Sequence, residues 1–170
     1  MIELKVLSKD DAEQIRLWRN ECLDTLRTPY PLTKEQQEDW YINTVCNRQS
    51  NARWFGIHKT DSSVDNLIGY TGIENISFEN RIGEISLLIN PALQRKGYGW
   101  KAADKILQYA FDSLNLNCVF GECYESNEKA VRFWRKITEQ RKGYTTALPC
   151  RKYTNGKYAS SLYFSIERPL

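Results

Sequence analysis

Three features of the 170-residue chain predict an α/β (α+β) fold with one mixed sheet of about seven strands and about four helices. Short runs in which apolar and polar residues alternate recur between helical patterns. A strand over Glu84 to Ile89 passes through a Gly-rich turn directly into the clearest helical stripe of the chain, Ala103, Ile106, Leu107, Ala110, Phe111 and Leu114. Near the C-terminus, Asn155-Gly156 marks a two-residue hairpin turn.

Ile2, Leu4 and Val6 alternate with polar neighbours and predict the first strand. Ser8 or Asp10 then caps a helix with Ala12, Ile15, Trp18 and Cys22 on one face, ended by Thr28-Pro29-Tyr30-Pro31. Thr33 and Gln36 have capping-box spacing for a second helix through Trp40, Tyr41 and Val45, closed by the polar run from Asn47 to Asn51. Strands over Trp54 to His58 and Leu67 to Ile73 flank Asp61 to Asn66, whose short polar side chains favour a hairpin loop. The strand from Gly83 to Ile89 stops at Asn90-Pro91. Past the amphipathic helix, Cys118 to Tyr124 reads as a strand and Asn127 to Ile137 as a helix with Ala130, Phe133, Trp134 and Ile137 inward. From Gly143 onward the chain reads as a two-stranded ribbon. The order is β-α-α-β-β-β-α-β-α-β-β, without repeats or low-complexity segments.

With 41% apolar and 26% charged residues, residues 1–170 suffice for one domain whose core needs no covalent staples. Cys22, Cys46, Cys118, Cys123 and Cys150 form an odd, scattered set without C-x-x-C spacing, and His58 is the sole histidine. That pattern argues for reduced thiols and against a zinc site, so no metal is expected. A lone strand histidine such as His58 reads as structural before it reads as a base. The N-terminal Met1-Ile2-Glu3-Leu4-Lys5 has no apolar signal core, and no stretch approaches the roughly 18 apolar residues that span a bilayer. The expectation is a soluble, cytoplasmic protein with no membrane partner. A net charge of +3, with 21 acidic residues interspersed among the basic ones, is too mild to imply nucleic acid.

The turn that leaves the strand at Ile89 reads Asn90-Pro91-Ala92-Leu93-Gln94-Arg95-Lys96-Gly97-Tyr98-Gly99, with the helix immediately after. Glycines at 97 and 99 let the backbone approach a ligand closely, the helix start presents N–H groups and a positive dipole end, and Arg95 and Lys96 add full charges. These are the elements of a phosphate cradle. It lacks the third glycine of the dinucleotide fingerprint and the Gly-Lys-Ser/Thr of the P-loop.

Gln94-x-x-Gly97-x-Gly99, placed between a strand and a long helix, resembles the acyl-CoA-binding motif of the GNAT acetyltransferase superfamily. Upstream, Glu84-Ile85-Ser86-Leu87-Leu88-Ile89-Asn90-Pro91 resembles the strand of the branch that includes the ribosomal-protein N-terminal acetyltransferases. Downstream, Asn127-x-x-Ala130 with Phe133-Trp134 resembles the family's last helix, and Asn155-Gly156-Lys157-Tyr158 followed by Tyr163-Phe164-Ser165-Ile166 its closing hairpin. Trp18-Arg19-Asn20 is similar to a helix found in both protein N-terminal and amino-sugar acetyltransferases, which leaves the acceptor class open. The resemblance implies a GNAT-type sheet splayed open between the strands at 84 to 89 and 118 to 124, with acetyl-CoA (coenzyme A) as cofactor. Its pantetheine arm would lie in the splay and its pyrophosphate on the turn formed by Gln94, Arg95, Lys96, Gly97, Tyr98, Gly99 and Trp100. Asn127 is implied as a contact to the arm, with a helix-cap role as its alternative. The resemblance also implies a bulge that aims the N–H of Leu88 or Ile89 at the thioester carbonyl as an oxyanion donor.

An amine must lose a proton before it attacks a thioester. Glu84 is the first candidate base, acting through a water; it equally fits a rim carboxylate paired with Arg81 or a lysine. Glu122 and Glu74 are further candidates. The family often supplies a tyrosine to protonate the departing thiolate, but the matching position here is Trp134, whose indole is no acid near neutral pH. Tyr124 or Tyr144 substitutes, or the thiolate leaves unaided or takes a proton from water.

The acceptor pocket is expected between the first two helices, their connection near Arg27 to Leu32, and the C-terminal ribbon. Arg27, with Arg19, Arg53, Arg151 and Lys152, suits an anionic acceptor such as a nucleotide-linked amino sugar, whereas Tyr30, Trp40, Tyr153 and Tyr158 suit a peptide or a sugar ring. The expected partners are acetyl-CoA and an amine acceptor, a peptide N-terminus, small amine or amino sugar, on a monomer or homodimer. A noncatalytic acyl-CoA-binding module is the rival of another class, favoured by the missing tyrosine.

Overall fold

A computed structural model of the chain describes residues 1–28, 30–60 and 66–169. Seven strands form one sheet in the order β1-β2-β3-β4-β5-β7-β6: β1 (Ile2–Val6), β2 (Arg53–Lys59), β3 (Asn66–Ser77), β4 (Ile82–Ile89), β5 (Cys118–Tyr124), β6 (Tyr144–Thr154) and β7 (Lys157–Glu167). Four helices pack on it: α1 (Lys9–Glu21), α2 (Lys34–Trp40), α3 (Tyr98–Gln108) and α4 (Glu128–Gln140). All pairings are antiparallel except β4 with β5. The expected hairpin loop over Asp61 to Asn66 lies, from 61 to 65, outside the described residues.

Local chemistry accounts for the helix starts. Ser8 and Asp11 form a reciprocal capping box at α1, and Thr33 and Gln36 do the same at α2. Helices α2 and α3 each end in a widened π turn, over Tyr41–Val45 and Tyr109–Ser113. The ribbon turns at Asn155 and Gly156, both with positive φ (49° and 75°), as a hairpin of this length requires.

Strand alternation divides the side chains between two layers. Ile73, Ile85, Val119, Leu162, Phe164 and Ile166 meet α3 and α4, where Trp134 stacks on Phe164 with ring centroids 4.4 Å apart. On the opposite face Trp54, Tyr70 and Leu88 meet Ile15 and Trp18 of α1. β3 runs four residues beyond its predicted end at Ile73 because it carries a bulge. Between the pairs Glu74↔Glu84 and Ser77↔Ile82, Asn75 and Ile76 oppose the single residue Gly83. No helix among the described residues is long and apolar enough to cross a membrane.

Phe164 is 1% exposed at the centre of the α3/α4 layer. Phe164→Ala is expected to cost about 3–5 kcal/mol in urea denaturation, whereas Tyr153→Ala at the exposed ribbon tip should stay within about 0.5 kcal/mol. Comparable losses would contradict this placement of the core.

Candidate functional site

β4 and β5 pair only from Ile82↔Cys118 to Glu84↔Phe120. Beyond that point β4 continues to Ile89 and β5 to Tyr124 without pairing to one another, while β5 remains paired with β7 along its whole length. The sheet therefore opens into a V with its crotch at Glu84 and Phe120. Phe133 of α4 lies beneath the opening, close to Gly99 of α3.

Backbone directions in the V follow from the β3 ladder. The Asn90 N–H donates to the Ile68 carbonyl at 2.9 Å, and register with β3 is one to one from Glu84 to Ile89. In an antiparallel pair, residues that bond the partner alternate with residues that face away. Leu88 thus directs its N–H and C=O to β3, and its carbonyl crowds Gly69 there. Leu87 and Ile89 turn theirs into the V, where the Ile89 carbonyl accepts from Gln94 Nε2 at 3.4 Å. Of the two expected backbone donors, Leu88 faces the wrong way and Ile89 the right one. Leu87, which sequence reasoning passed over, faces the V as well. The expected bulge in β4 is replaced by the one in β3.

At the open end of the V the chain makes a short 3-10 turn over Pro91–Leu93 and then bends through Arg95 (φ 65°) and Gly97 (φ 79°). Gly97 caps α3 without any side-chain hydrogen bond. The first intrahelical donor is the N–H of Lys101, at 3.4 Å from the Gly97 carbonyl, so the N–H groups of Tyr98, Gly99 and Trp100 point out of the helix start. A Cβ added to Gly97 would meet nothing within 4 Å. Its φ, not crowding, requires glycine, and the space above the turn is open to a ligand. Arg95 and Lys96 are exposed beside it, and Trp100 carries the Lys136 ammonium 5.8 Å from its ring centroid.

The crotch carries the titratable groups. Glu84 and Glu74 are cross-strand partners, and Glu122 projects from β5; all three lie on the α1/α2 side. Arg27, from the α1–α2 connection, pairs with Glu84 Oε1 and reaches Glu122 Oε2 at 3.4 Å, so one guanidinium spans both arms of the V. Asn75, displaced by the bulge, donates to Glu84 Oε2 at 2.9 Å. Arg151 of β6 grips Glu122 through Nε at 2.8 Å and Nη2 at 3.0 Å. The hydrogen bond from Arg151 is the main cause holding the Glu122 carboxyl below the usual range, against the opposing effect of burial. Burial pushes the Glu74 carboxyl up and the neighbouring Glu84 adds to it, with Arg27 and Arg19 offsetting part.

The Trp18-Arg19-Asn20 run shapes this corner. Trp18 is core; Arg19 donates to the Thr28 hydroxyl at 2.8 Å; Asn20 exchanges hydrogen bonds with both backbone groups of Leu32 at 2.8 and 3.0 Å. Together they hold the connection that delivers Arg27.

Other expected residues fall differently. Asn127 caps α4 through Oδ1 to the Ala130 N–H at 3.2 Å and donates to the Thr25 carbonyl at 3.5 Å, which fits its helix-cap role. Trp134 is buried core. Tyr124 ends β5 at the mouth, with the Lys152 ammonium 5.0 Å from its ring centroid. Tyr144 is a different case: it pairs with Ser165, which pairs with Phe120, so it stands on the edge strand level with the closed end of the V, away from the opening. Trp40 packs edge-on against Trp54, centroids 5.5 Å apart, and belongs to the α1/α2 core instead of a substrate clamp. Tyr30 is exposed on the α1–α2 connection, and Tyr158 packs at a tilt against Tyr153 at the ribbon tip, ring centroids 5.1 Å apart. Burial pushes the Cys123 thiol up to about 11, which leaves it inert as a nucleophile.

The raised Glu74 carboxyl has a definite sign for stability. As pH rises past the ordinary 4.5, the unfolded chain releases this proton before the folded one does, so stability falls through that window up to the raised value. Glu74→Gln should therefore be more stable than wild type near pH ~7 and gain nothing near pH ~3.5, read by urea denaturation at the two values. An equal change at both would contradict the burial of this carboxylate.

The chain is 31% identical over 116 residues to the uncharacterized N-acetyltransferase YnaD of Bacillus subtilis, a stretch that is 68% of this chain and 65% of that one. It is 29% identical over 98 residues to the spermidine N(1)-acetyltransferase of Escherichia coli K12, covering 58% of this chain and 51% of the relative. These matches span between about half and two thirds of the relatives' own length. Among solved structures, the spermidine N-acetyltransferase of Vibrio cholerae in complex with CoA and spermine superposes with a TM-score of 0.84, covering 98% of this chain and 95% of that one at 22% identity, a likeness of fold. The family model for the acetyltransferase (GNAT) domain matches residues 2–138, and the chain belongs to that family.

Proposed function

We propose that residues 1–170 act as one acetyl-CoA-dependent N-acetyltransferase domain whose acceptor is a primary amine. The observation that carries this reading is the V between β4 and β5, with a glycine turn and an open helix start at its mouth and arginine-paired carboxylates at its crotch. β7 and β6 complete the wall of the V beyond the stretch matched by the family model and bring Arg151 to it, which supports treating the whole chain as the working unit.

Acetyl-CoA supplies the acetyl group as a thioester; the amine nitrogen bonds to its carbonyl carbon and the C–S bond breaks in a ternary complex. The N–H groups of Tyr98, Gly99 and Trp100, with Arg95 and Lys96, hold the pyrophosphate. The N–H groups of Leu87 and Ile89, turned into the V, pair with the arm and face the developing oxyanion, an interaction worth about 3 kcal/mol where one such donor has been removed from other acyl-transfer sites. Glu84 receives the proton shed by the amine: Arg27 and Asn75 each occupy one position on its two oxygens, and a carboxylate has lone pairs to spare. Tyr124, at the mouth, returns a proton to the sulfur.

The names of the relatives, spermidine acetyltransferases among them, support a small amine as acceptor; the β4 motif keeps a peptide N-terminus as the finer alternative. The noncatalytic reading rests on Trp134 alone. Free-thiol release from acetyl-CoA, followed across polyamines, amino sugars, amino acids and peptide N-termini, tests the proposal. An amine is expected to accelerate release, Glu84→Gln to lower kcat/KM by about 10²–10⁴, and Gly97→Glu to abolish it by setting a carboxylate and a disfavoured φ in the phosphate turn. Tight acetyl-CoA binding by calorimetry with no amine acetylated would sink the enzyme reading in favour of a binding module.

A further inference from the structure

The crotch of the V, on its α1/α2 side, is layered by charge. The carboxylates of Glu84 and Glu122 form the floor, each side chain 8% exposed, while the guanidiniums that cover them belong to Arg27 and Arg151, 42% and 47% exposed. Lys152, next along β6, adds an ammonium tied to the Asp24 carbonyl at 3.1 Å and placed over Tyr124. Anything approaching this part of the crotch meets cations before it meets carboxylates.

The cations also keep donors in hand. Arg151 commits Nε and Nη2 to Glu122, and Arg27 commits Nη1 and Nη2 to the two carboxylates. A guanidinium has five N–H donors, so each retains several on its outward side. Such forks match a carboxylate or a phosphate. A polycation entering here would meet the rim of Arg27, Arg151 and Lys152 with like charge and find no group of its own to engage their outward donors. An acceptor with both an amine and an anion meets each layer with the opposite charge.

We infer that the acceptor is a small primary amine that also carries a carboxylate or phosphate group, the anion held by Arg27, Arg151 and Lys152 and the amine delivered to the Glu84 and Glu122 floor. This rests on the N-acetyltransferase reading and narrows it away from polyamines.

The experiment measures kcat/KM for matched amines with and without the anion: an α-amino acid against its amide, an amino-sugar phosphate against the free amino sugar, and spermidine as the polycation. The anionic member of at least one pair should be favoured by about tenfold or more, and the pair that shows it separates carboxylate from phosphate. That preference should shrink as salt rises, fall by about tenfold in Arg151→Gln, and return in part in Arg151→Lys, which keeps the charge without the fork. Spermidine as the best acceptor, or a preference unchanged in Arg151→Gln, overturns the inference and leaves the transferase reading standing. Failure of wild type to acetylate any amine overturns both.

Discussion

The site depends on β4 and β5 ceasing to pair after Glu84 and Phe120. Two strands that are neighbours at one end and apart at the other leave backbone N–H and C=O groups in a gap, where they need partners. β5 cannot close the gap, because β7 holds it along all seven residues, Cys118 to Tyr124. β4 cannot close it either, because β3 holds it in unbroken register as far as Ile89. Phe133 and the start of α3 fill the space beneath. The sheet thus keeps a slot lined with backbone donors and acceptors, suited to an extended amide-bearing chain.

The two ends of the slot have opposite electrostatics for simple structural reasons. Its mouth is the start of α3, where N–H groups, a dipole end and Arg95 and Lys96 favour anions. Its crotch holds carboxylates close together, a costly arrangement in the absence of counter-charge. Arg27 supplies that charge for Glu84 and Glu122 at once and Arg151 supplies it again for Glu122, while Glu74, set back on β3, is left with a raised carboxyl. The pairs serve assembly as well as chemistry, since Arg27 ties the α1–α2 connection to both arms of the V and Lys152 ties β6 to that connection.

Much of this was legible in the residues. The helix caps, the Asn155-Gly156 turn, β5 and the glycine turn that opens α3 all depend on neighbours within a few positions, and each appeared where its local chemistry placed it. Errors arose where a residue's role depends on a distant partner. The rim-carboxylate alternative for Glu84 pairs it with Arg81 or a lysine; its partner is Arg27, 57 positions away. Arg81 instead bonds the Asn115 carbonyl at 2.8 Å. Trp40 has the look of an aromatic for a ligand, yet it completes a cluster with Trp54 and Tyr70 that no local pattern reveals.

By itself the sequence determined the order of elements, the faces they bury and a glycine turn at the start of α3, because periodicity, capping and glycine conformation act over short separations. Tertiary structure decided which backbone groups of β4 face the V, since direction is set by register with β3 and a shift of one residue reverses it. It also decided that Tyr144 stands far from the opening, that a bulge in β3 turns Asn75 toward Glu84, and that cations from the α1–α2 connection and β6 cover the carboxylates of β4 and β5. Those are meetings between segments far apart in the chain, and only packing brings them together.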